Sequence, residues 1–285
     1  MSTAPINARV TPRTGRGLSP IWRNALQAFS KNDPTFGVLV INEDFTGRFV
    51  TNATDASEAN GWFIQDAAAG GTVENLSLVA GNPDGVALLS ATTGTDHFGI
   101  EAHWGTTSTS QGVVTFNGAT TYARGDVVYE ARVDATDQKQ FFVGLTEPIV
   151  DFLGATSGLP ANSDYIGFFR SDGGGLQFVL ANDNNGGTAV SDTYTIKTAA
   201  EMDALENASV DNNWLNLAFR VNKDDSIELS VNDEWYGISK NALNPLAIPI
   251  EALTPKFGAY RGATDDQATV ELYVDYVHVF VGAGP

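Results

Sequence analysis

From residue 36 onward, apolar and polar residues alternate with a period of two, and this constrains the fold more than any other feature of the sequence. In residues 213–222 one side of an extended chain carries four large apolar residues, Leu215, Leu217, Phe219 and Val221. Lys223, Asp224 and Asp225 interrupt the pattern, and an apolar residue at every second position from 227 to 231 resumes it. This arrangement predicts a β-hairpin with one buried face.

Similar runs recur along the chain between breaks rich in Gly, Asn, Asp and Pro. Residues 127–133 alternate in the same way, a polar turn over 134–139 follows, and 141–145 is an apolar strand, which predicts a second hairpin. Residues 270–281 are apolar on both faces toward their end, as in a strand well inside a sheet. Roughly a dozen such strands are too many for one flat sheet. The sequence therefore predicts an all-β, two-sheet sandwich beginning near Glu43. Its expected core includes Leu217, Phe219, Ile227, Leu229, Val270 and Leu272.

One helix should interrupt the strands. Thr198 and Glu201 have the spacing of a capping box, and Met202 and Leu205 supply a narrow apolar stripe. We expect a surface crossover helix here.

The first forty residues differ in charge from the rest of the chain. They hold five basic residues (Arg9, Arg13, Arg16, Arg23, Lys31) against Asp33 alone, in a protein whose net charge is −18. Residues 8–19 contain Pro and Gly breaks and few large apolar groups. Residues 1–42 are therefore predicted to form a basic N-terminal arm, and residues 43–285 the β-sandwich domain.

The arm contains one short amphipathic helix signal. Ser19 can cap it, Pro20 suits its first position, and apolar residues recur from Ile21 to Phe29 at helical spacing. About eleven residues are marginal for an isolated helix in water, so this one needs an apolar surface. That surface is either its own sandwich or another protein. For the second alternative the docking residues would be Arg9, Arg13, Arg16, Ile21, Trp22, Arg23, Leu26 and Phe29.

Composition excludes several classes of function. The chain has no cysteine, which removes disulfides, thiolate metal sites and cysteine nucleophiles and suits assembly in a reducing cytosol. The strong negative charge argues against nucleic acid and anionic membranes as partners. No apolar stretch approaches the length of a membrane span. We expect no cofactor.

Catalytic carboxylates with the right spacing are not found. Glu130 with Asp134, and Glu271 with Asp275, lie four residues apart on strands, or roughly 13 Å. Glycoside hydrolysis needs two carboxyl groups within about 9.5 Å. The sequence leaves open the possibility that carboxylates from different strands come together. No Gly-x-Ser-x-Gly elbow occurs either, so the chain is predicted not to be an enzyme.

The sequence offers only a few residues that could bind a metal ion. His97, Glu101 and His103 fall on one face of an alternating run, and the last two could share a metal, although a solvated outer strand face is the favoured interpretation. The oxygen-rich loops 182–185 and 265–267 could hold calcium but lack fixed ligand spacing. His278, in an apolar strand, is expected to be a hydrogen-bonded core or interface residue. No metal site is predicted.

Two aromatic residues follow the turn at Asn232 and Asp233. Trp235 and Tyr236 could stack on a sugar, and the alternative, which we favour, is that one of them packs under the turn.

Several stretches resemble a known superfamily. NWLNLAFRVNKDDSIELSVNDEWYGIS (213–239) and ELYVDYVHVF (271–280) resemble strands of concanavalin-like jelly-roll domains, which include lectins, laminin-G modules and laminarinase-type hydrolases. VVYEARVDATDQKQFFVGLTEP (127–148) and DYIGFFRSDGGGLQFVLAND (164–183) are similar to concanavalin-type domains of tailed-phage structural proteins. The resemblance implies a jelly-roll β-sandwich on a virion surface.

Together these features favour a capsid decoration or cement protein that binds and stabilises the outer surface of a phage capsid. Its expected partners are the major capsid protein and neighbouring copies of itself, as a homo-oligomer on the virion after assembly in the host cytoplasm. The alternative is a carbohydrate-binding module of a tail or receptor-binding protein, since a glycan ligand suits the fold. An enzyme acting on polysaccharide ranks third.

Overall fold

The computed structural model describes part of the chain. The described residues are 39–45, 57–59, 61–67, 73–78, 86–92, 99–105, 112, 114–115, 124–134, 140–147, 152, 158–171, 173–183, 189–206, 214–239, 241–260 and 269–283. The arm residues before 39, including all eight predicted docking residues, lie outside these ranges.

Strands dominate the described residues. They are β1 Leu39–Glu43, β2 Ser57–Ala59, β3 Trp62–Ala67, β4 Val73–Leu78, β5 Ala87–Thr92, β6 Gly99–Trp104, β7 Val114–Thr115, β8 Arg124–Asp134, β9 Gln140–Thr146, β10 Tyr165–Arg170, β11 Leu176–Asn182, β12 Val190–Lys197, β13 Trp214–Val221, β14 Ile227–Val231, β15 Glu234–Ile238, β16 Ala252–Tyr260 and β17 Thr269–Ala283. One α-helix, α1 (Ala199–Glu206), follows β12, and a 3-10 turn spans Pro245–Ala247.

The strands form two antiparallel sheets. Sheet I has the order β15-β14-β13-β8-β17-β5-β4, with β1 paired to β17 beside β5. Sheet II has the order β12-β11-β10-β9-β16-β6-β3-β2, with β7 paired to β16. The predicted two-sheet sandwich is confirmed. Its first described strand begins at Leu39, a little before the expected start near Glu43.

The predicted hairpin at residues 213–231 is confirmed. β13 pairs with β14 through a turn in which Asp225 has a φ of 69°. The predicted core residues on these strands and on β17 are buried: Leu217, Phe219, Ile227, Leu229, Val270 and Leu272. β17 lies inside sheet I, with β8 on one edge and β5 and β1 on the other.

The second predicted hairpin is wrong. β8 and β9 do not pair: β8 lies between β13 and β17 in sheet I, whereas β9 lies between β10 and β16 in sheet II. Both strands bury the predicted apolar face, so the alternation identified the strands correctly. It did not identify their partners, because a connection between two sheets has the same local sequence as a turn within one sheet.

The core fills the space between the two sheets. The ring of Phe219 on β13 stacks on Tyr129 of β8 at 5.2 Å and meets Phe178 of sheet II edge-on at 5.5 Å. Trp62 of β3 packs against Phe257 of β16 at 4.8 Å. The contact between Phe219 and Phe178 joins the inner faces of the two sheets, and all of these rings belong to one apolar core.

Helix α1 begins as the sequence predicts. The Thr198 backbone N–H donates to the Glu201 carboxylate at 2.7 Å, and the Glu201 N–H donates to the Thr198 hydroxyl at 3.3 Å, which is a capping box. Met202 is buried in the core. Among the described residues no helix is both long and apolar enough to cross a membrane.

Candidate functional site

Glu101 and His103 lie on the outer face of sheet II and are fully buried, so the predicted solvated face is wrong. Strand β6 places them beside Lys256 and Tyr260 of β16, which pairs with β6 in antiparallel register. Side chains at alternate positions of the two strands therefore share one outer face. His97 lies outside the described residues.

The Glu101 carboxylate is the centre of this buried polar cluster. It accepts hydrogen bonds from Lys256 Nζ at 3.0 Å, from the Tyr260 hydroxyl, and from the Phe152 backbone N–H, which is 3.2 Å from each carboxylate oxygen. Burial is the largest influence and by itself raises the pKa of Glu101. The Lys256 charge and these hydrogen bonds together outweigh it and lower that pKa below its usual value.

An apolar group closes this cluster on one side. Phe152 packs against Phe142 at 4.6 Å and Tyr165 at 5.5 Å, and its ring lies 5.4 Å from Lys256 Nζ. Together they form a second small apolar cluster outside the main core. The bonds around Glu101 hold a charge pair in place and attach the Phe152 backbone to β6.

Three carboxylates from different segments do meet, as the sequence left open. Carboxylate oxygens of Glu147, Asp164 and Asp183 lie within 4.8 Å of one another. Asp164 is fully buried, and its two oxygens accept the backbone N–H groups of Asp183, Ile250 and Glu251 at 2.6–2.7 Å. Burial is the largest influence on the pKa of Glu147, which is raised. The backbone donors explain how the buried Asp164 charge is tolerated.

Of the two loops considered as calcium sites, 182–185 and 265–267, the structure describes only residues 182 and 183. Asp183 joins the carboxylate group just described, whereas the Asn182 side chain donates to the Ile248 carbonyl at 3.2 Å. Residues 184–185 and 265–267 lie outside the described residues.

The two predicted carboxylate pairs have separate structural roles. Glu130 accepts the Tyr276 hydroxyl at 2.8 Å, and Asp275 accepts Arg132 Nη1 at 2.6 Å. Asp275 occupies a β-bulge of β17, where the register against β8 shifts. His278 is buried on the outer face of sheet I, and its ring stacks on Tyr276 at 4.5 Å.

Of the two aromatic residues after the turn, Tyr236 packs inward and Trp235 is exposed. Tyr236 packs against the main core, and its hydroxyl donates to Glu234 at 2.8 Å. Trp235 points to the outer face of sheet I and is 45 % exposed. Among the described residues, Trp235 and Leu246 are the exposed large hydrophobic side chains.

A surface site surrounds Trp235. Residues Asn232 and Asp233 turn the chain with φ values of 49° and 66°, so that β15 forms the edge of sheet I. Gly237 lies next to Trp235 on the same face, and a Cβ built there would meet no non-neighbouring atom of the described residues within 4 Å. Glu228 lies opposite Gly237 on β14, and its carboxylate is 3.8 Å from Arg220. The Trp235 ring, the space over Gly237 and the Glu228 carboxylate therefore lie beside one another.

Sequence reasoning missed most of these residues. Lys256 and Tyr260 lie on the same face of β16, and the alternation of the sequence shows this. Nothing in the local sequence indicates that this face lies beside Glu101. Gly237 could have been found as a glycine inside a predicted strand, where a side chain is expected.

No protein-family model matches the chain. No curated protein matches it by sequence. Solved structures do match. Arcelin-5, a lectin-like defense protein from Phaseolus vulgaris, aligns with a TM-score of 0.50 and 8 % identity over 86 % of this chain and 99 % of that one. The fold is a jelly-roll β-sandwich.

Other solved structures align with this chain at lower similarity. The carbohydrate recognition domain of Emp47p aligns with a TM-score of 0.47 and 11 % identity over 88 % of this chain and 99 % of that one. The family-7 alginate lyase A1-II′ has a TM-score of 0.39 and 13 % identity, with 82 % and 93 % covered. The chain spans 44 % of a matched botulinum neurotoxin type C structure. A likeness at this low sequence identity shows the fold alone.

Proposed function

We propose that this chain is a non-catalytic carbohydrate-binding β-sandwich whose ligand lies over Gly237 and stacks on Trp235. This is the alternative of the sequence analysis. It rests on the surface site at the edge of sheet I.

Gly237 is the observation that carries the proposal. Glycine inside a strand weakens it, and it commonly marks a place where another group approaches the backbone closely. Among the described residues, apart from the two chain neighbours of Gly237, no atom lies within 4 Å of a Cβ built there. Packing against the described residues thus gives no reason for the missing side chain, and a ligand that approaches the backbone supplies one.

The neighbouring groups suit a sugar ring. The face of an indole is electron-rich and attracts the positively polarised C–H bonds on one face of a pyranose, while Trp235 also loses exposed apolar surface on binding. The Glu228 carboxylate can accept hydrogen bonds from hydroxyl groups, and Arg220 Nη1 lies 3.8 Å from it. A few placed polar groups beside an apolar wall are typical of small-molecule sites.

Local charge narrows the ligand class. The Glu228 side chain is 41 % exposed, and the whole chain carries a net charge of −18. Carboxylated or sulfated sugars would be repelled here. We therefore expect neutral glycans to bind.

A glycan array followed by titration calorimetry tests the proposal. Wild-type protein should bind one or more neutral glycans, and Trp235→Ala should weaken that binding by about tenfold or more, or about 1.4 kcal/mol. Leu246→Ala removes the other exposed large hydrophobic side chain, 66 % exposed, and should leave binding unchanged. Binding that survives Trp235→Ala, or no glycan bound at all, would reject the proposal.

Residues 1–42 support a second proposal, capsid decoration. A basic arm with one apolar helix suits attachment to a capsid shell, with the major capsid protein and copies of this chain as partners on the virion surface. Its support is the sequence of the arm, and the structural comparisons add nothing to it. Occupancy on undecorated capsids should fall with salt and with Trp22→Ala. Unchanged occupancy in both tests would reject docking through the arm.

A further inference from the structure

The strand that carries Trp235 and Gly237 is held weakly by its own sheet. β15 is the last strand in the order of sheet I, and among the described strands it pairs with β14 alone. Gly237 adds no side-chain packing, and glycine inside a strand weakens it. A ligand that stacks on a mobile ring loses affinity, because binding must first order that ring. A binding site on β15 therefore needs a further contact that holds the strand.

The two neighbours of Trp235 make such a contact on the other side of the strand. Glu234 and Tyr236 lie on the face of β15 opposite the Trp235 ring. The Tyr236 ring packs against the main core, and its hydroxyl donates to Glu234 Oε2 at 2.8 Å. Lys197 Nζ donates to the same oxygen at 2.7 Å. One ammonium group thus holds the residues on both sides of Trp235 together.

Lys197 belongs to the other sheet, and a β-bulge directs its side chain toward β15. Along β12, Thr195 lies opposite Gln177, but the next paired residue, Lys197, lies opposite Leu176, so Ile196 is the extra residue. A bulge re-aims the side chain that follows it. Strict alternation would place Lys197 with Thr195 on the outer face of sheet II. The bulge places it instead on the inner side, where Leu176 and Ile196 contact the core.

β12 also holds the chain that leaves β15. The Tyr194 hydroxyl donates to the Ala242 carbonyl at 3.0 Å, and the Asn244 backbone N–H donates to the Asp192 carboxylate at 2.7 Å. The edge strand of sheet II is therefore joined by polar contacts to the edge strand of sheet I and to the segment that follows it. Of the contacts printed here, the one made by Lys197 lies nearest to Trp235 in the sequence.

The charges of this contact are matched. The hydrogen bond from Lys197 is the largest influence on the pKa of Glu234, which is lowered. Burial by itself lowers the pKa of Lys197, but its bonds to Glu234 and Tyr236 outweigh burial, and that pKa is raised. Both shifts favour the charged forms, so the contact is intact at neutral pH.

We propose that Lys197 is a positioning residue for the surface site around Trp235: through Glu234 and Tyr236 it fixes β15, and with it the Trp235 ring. Lys197 acts from the opposite sheet and from the face of β15 that the ligand does not touch. The inference rests on the proposed glycan function for its ligand. The position of the Trp235 ring, however, is measured without any glycan.

Glycan affinity is the first test. Lys197→Met removes the charge and the donors, Lys197→Arg keeps them, and Lys223→Met makes the same change as the first variant on an exposed turn. Because Glu234 is 62 % exposed, the ion pair contributes little to overall stability, so all three variants should fold. Calorimetric titration with the best neutral glycan should show about three- to fivefold weaker binding for Lys197→Met alone. In a Glu234→Gln background, Lys197→Met should add little further loss.

Fluorine NMR of protein labelled with fluorotryptophan is the second test, and it needs no glycan. Trp235→Phe assigns the Trp235 resonance. That resonance should shift or broaden in Lys197→Met and keep its wild-type position in Lys197→Arg and Lys223→Met, whereas the Trp62 resonance, from the core, should stay unchanged in all three. A small loss of overall stability does not produce this pattern, because the protein stays folded.

Two results overturn the proposal. An unchanged Trp235 resonance in Lys197→Met shows that Lys197 does not fix the ring. Full glycan affinity in Lys197→Met, or an equal loss in Lys223→Met, shows that the contact does not position the site. If the wild-type protein binds no glycan, the proposed function is rejected, and the fluorine spectrum alone decides whether Lys197 holds Trp235 in place.

Discussion

Lys256 Nζ lies 3.0 Å from Glu101 Oε1, and both side chains are fully buried on the outer face of sheet II. The two residues are 155 positions apart in the sequence, and the pairing of β6 with β16 brings them together. A buried ion pair is tolerated when further hydrogen bonds satisfy the remaining polar atoms, as Tyr260 and Phe152 do here. Removing one partner leaves the other as an uncompensated buried charge.

Lys256→Met should therefore lower the free energy of unfolding by about 3 to 5 kcal/mol. The double variant Lys256→Met, Glu101→Gln removes both charges and should recover much of the loss. Urea unfolding of the three proteins checks this. A single variant as stable as wild type would show that the pair contributes nothing.

The same pair predicts a pH dependence. The pKa of Glu101 is lowered in the folded protein, so its contribution is present above the unfolded value near 4.5 and is lost as pH falls through the folded value. The difference in unfolding free energy between wild type and the double variant should shrink below pH 4.5. A constant difference would contradict the lowered pKa.

Phe219→Ala should cost roughly 3 to 5 kcal/mol, because its fully buried ring contacts Tyr129 and two phenylalanines of sheet II. Thr193→Ala, on the exposed side of edge strand β12, is the control and should change stability by less than about 0.5 kcal/mol. Denaturant unfolding measures both. A loss below about 1 kcal/mol at Phe219 would remove this strand face from the core.

The sequence predicted what depends on local alternation and missed what depends on strand pairing. The buried face of β13 and β14, their turn and the capping box of α1 are all encoded within a few residues. The placement of β8 and β9 in different sheets is not encoded locally. Their alternation would be the same if the two strands formed a hairpin in one sheet. Glu101 was likewise predicted to be solvated, because its partner Lys256 is far away in the sequence and only strand pairing brings the two together.

His278 should titrate well below an ordinary histidine. Burial lowers its pKa to about 4, against the opposing influence of Asp44 and Asp275. The unfolded chain then binds the proton more readily between about pH 6.5 and 4, so this residue makes stability fall as pH drops through that window. NMR titration, with His278→Gln to assign the resonance, measures the value. A pKa near 6.5 would contradict a covered ring.

We expect no cleavage of alginate, agar or β-glucans. Glu101 is held by Lys256, Tyr260 and Phe152, and the Asp164 oxygens are occupied by backbone donors. Product formation is followed by reducing ends and by absorbance of unsaturated products. Turnover that disappears in Glu101→Gln or Tyr260→Phe would replace the binding proposal with an enzyme.

Gly237→Val provides the most direct test of glycan binding at this site. A Cβ at this position meets no non-neighbouring atom within 4 Å in the part of the chain that the structure describes, and valine suits a strand, so the variant should fold with unchanged or slightly higher stability. Calorimetric titration with the best glycan from the array should show an affinity at least about tenfold weaker, because the side chain fills the space over the floor of the site. Full affinity in a folded Gly237→Val protein would show that no ligand lies there, and the proposed site would be wrong.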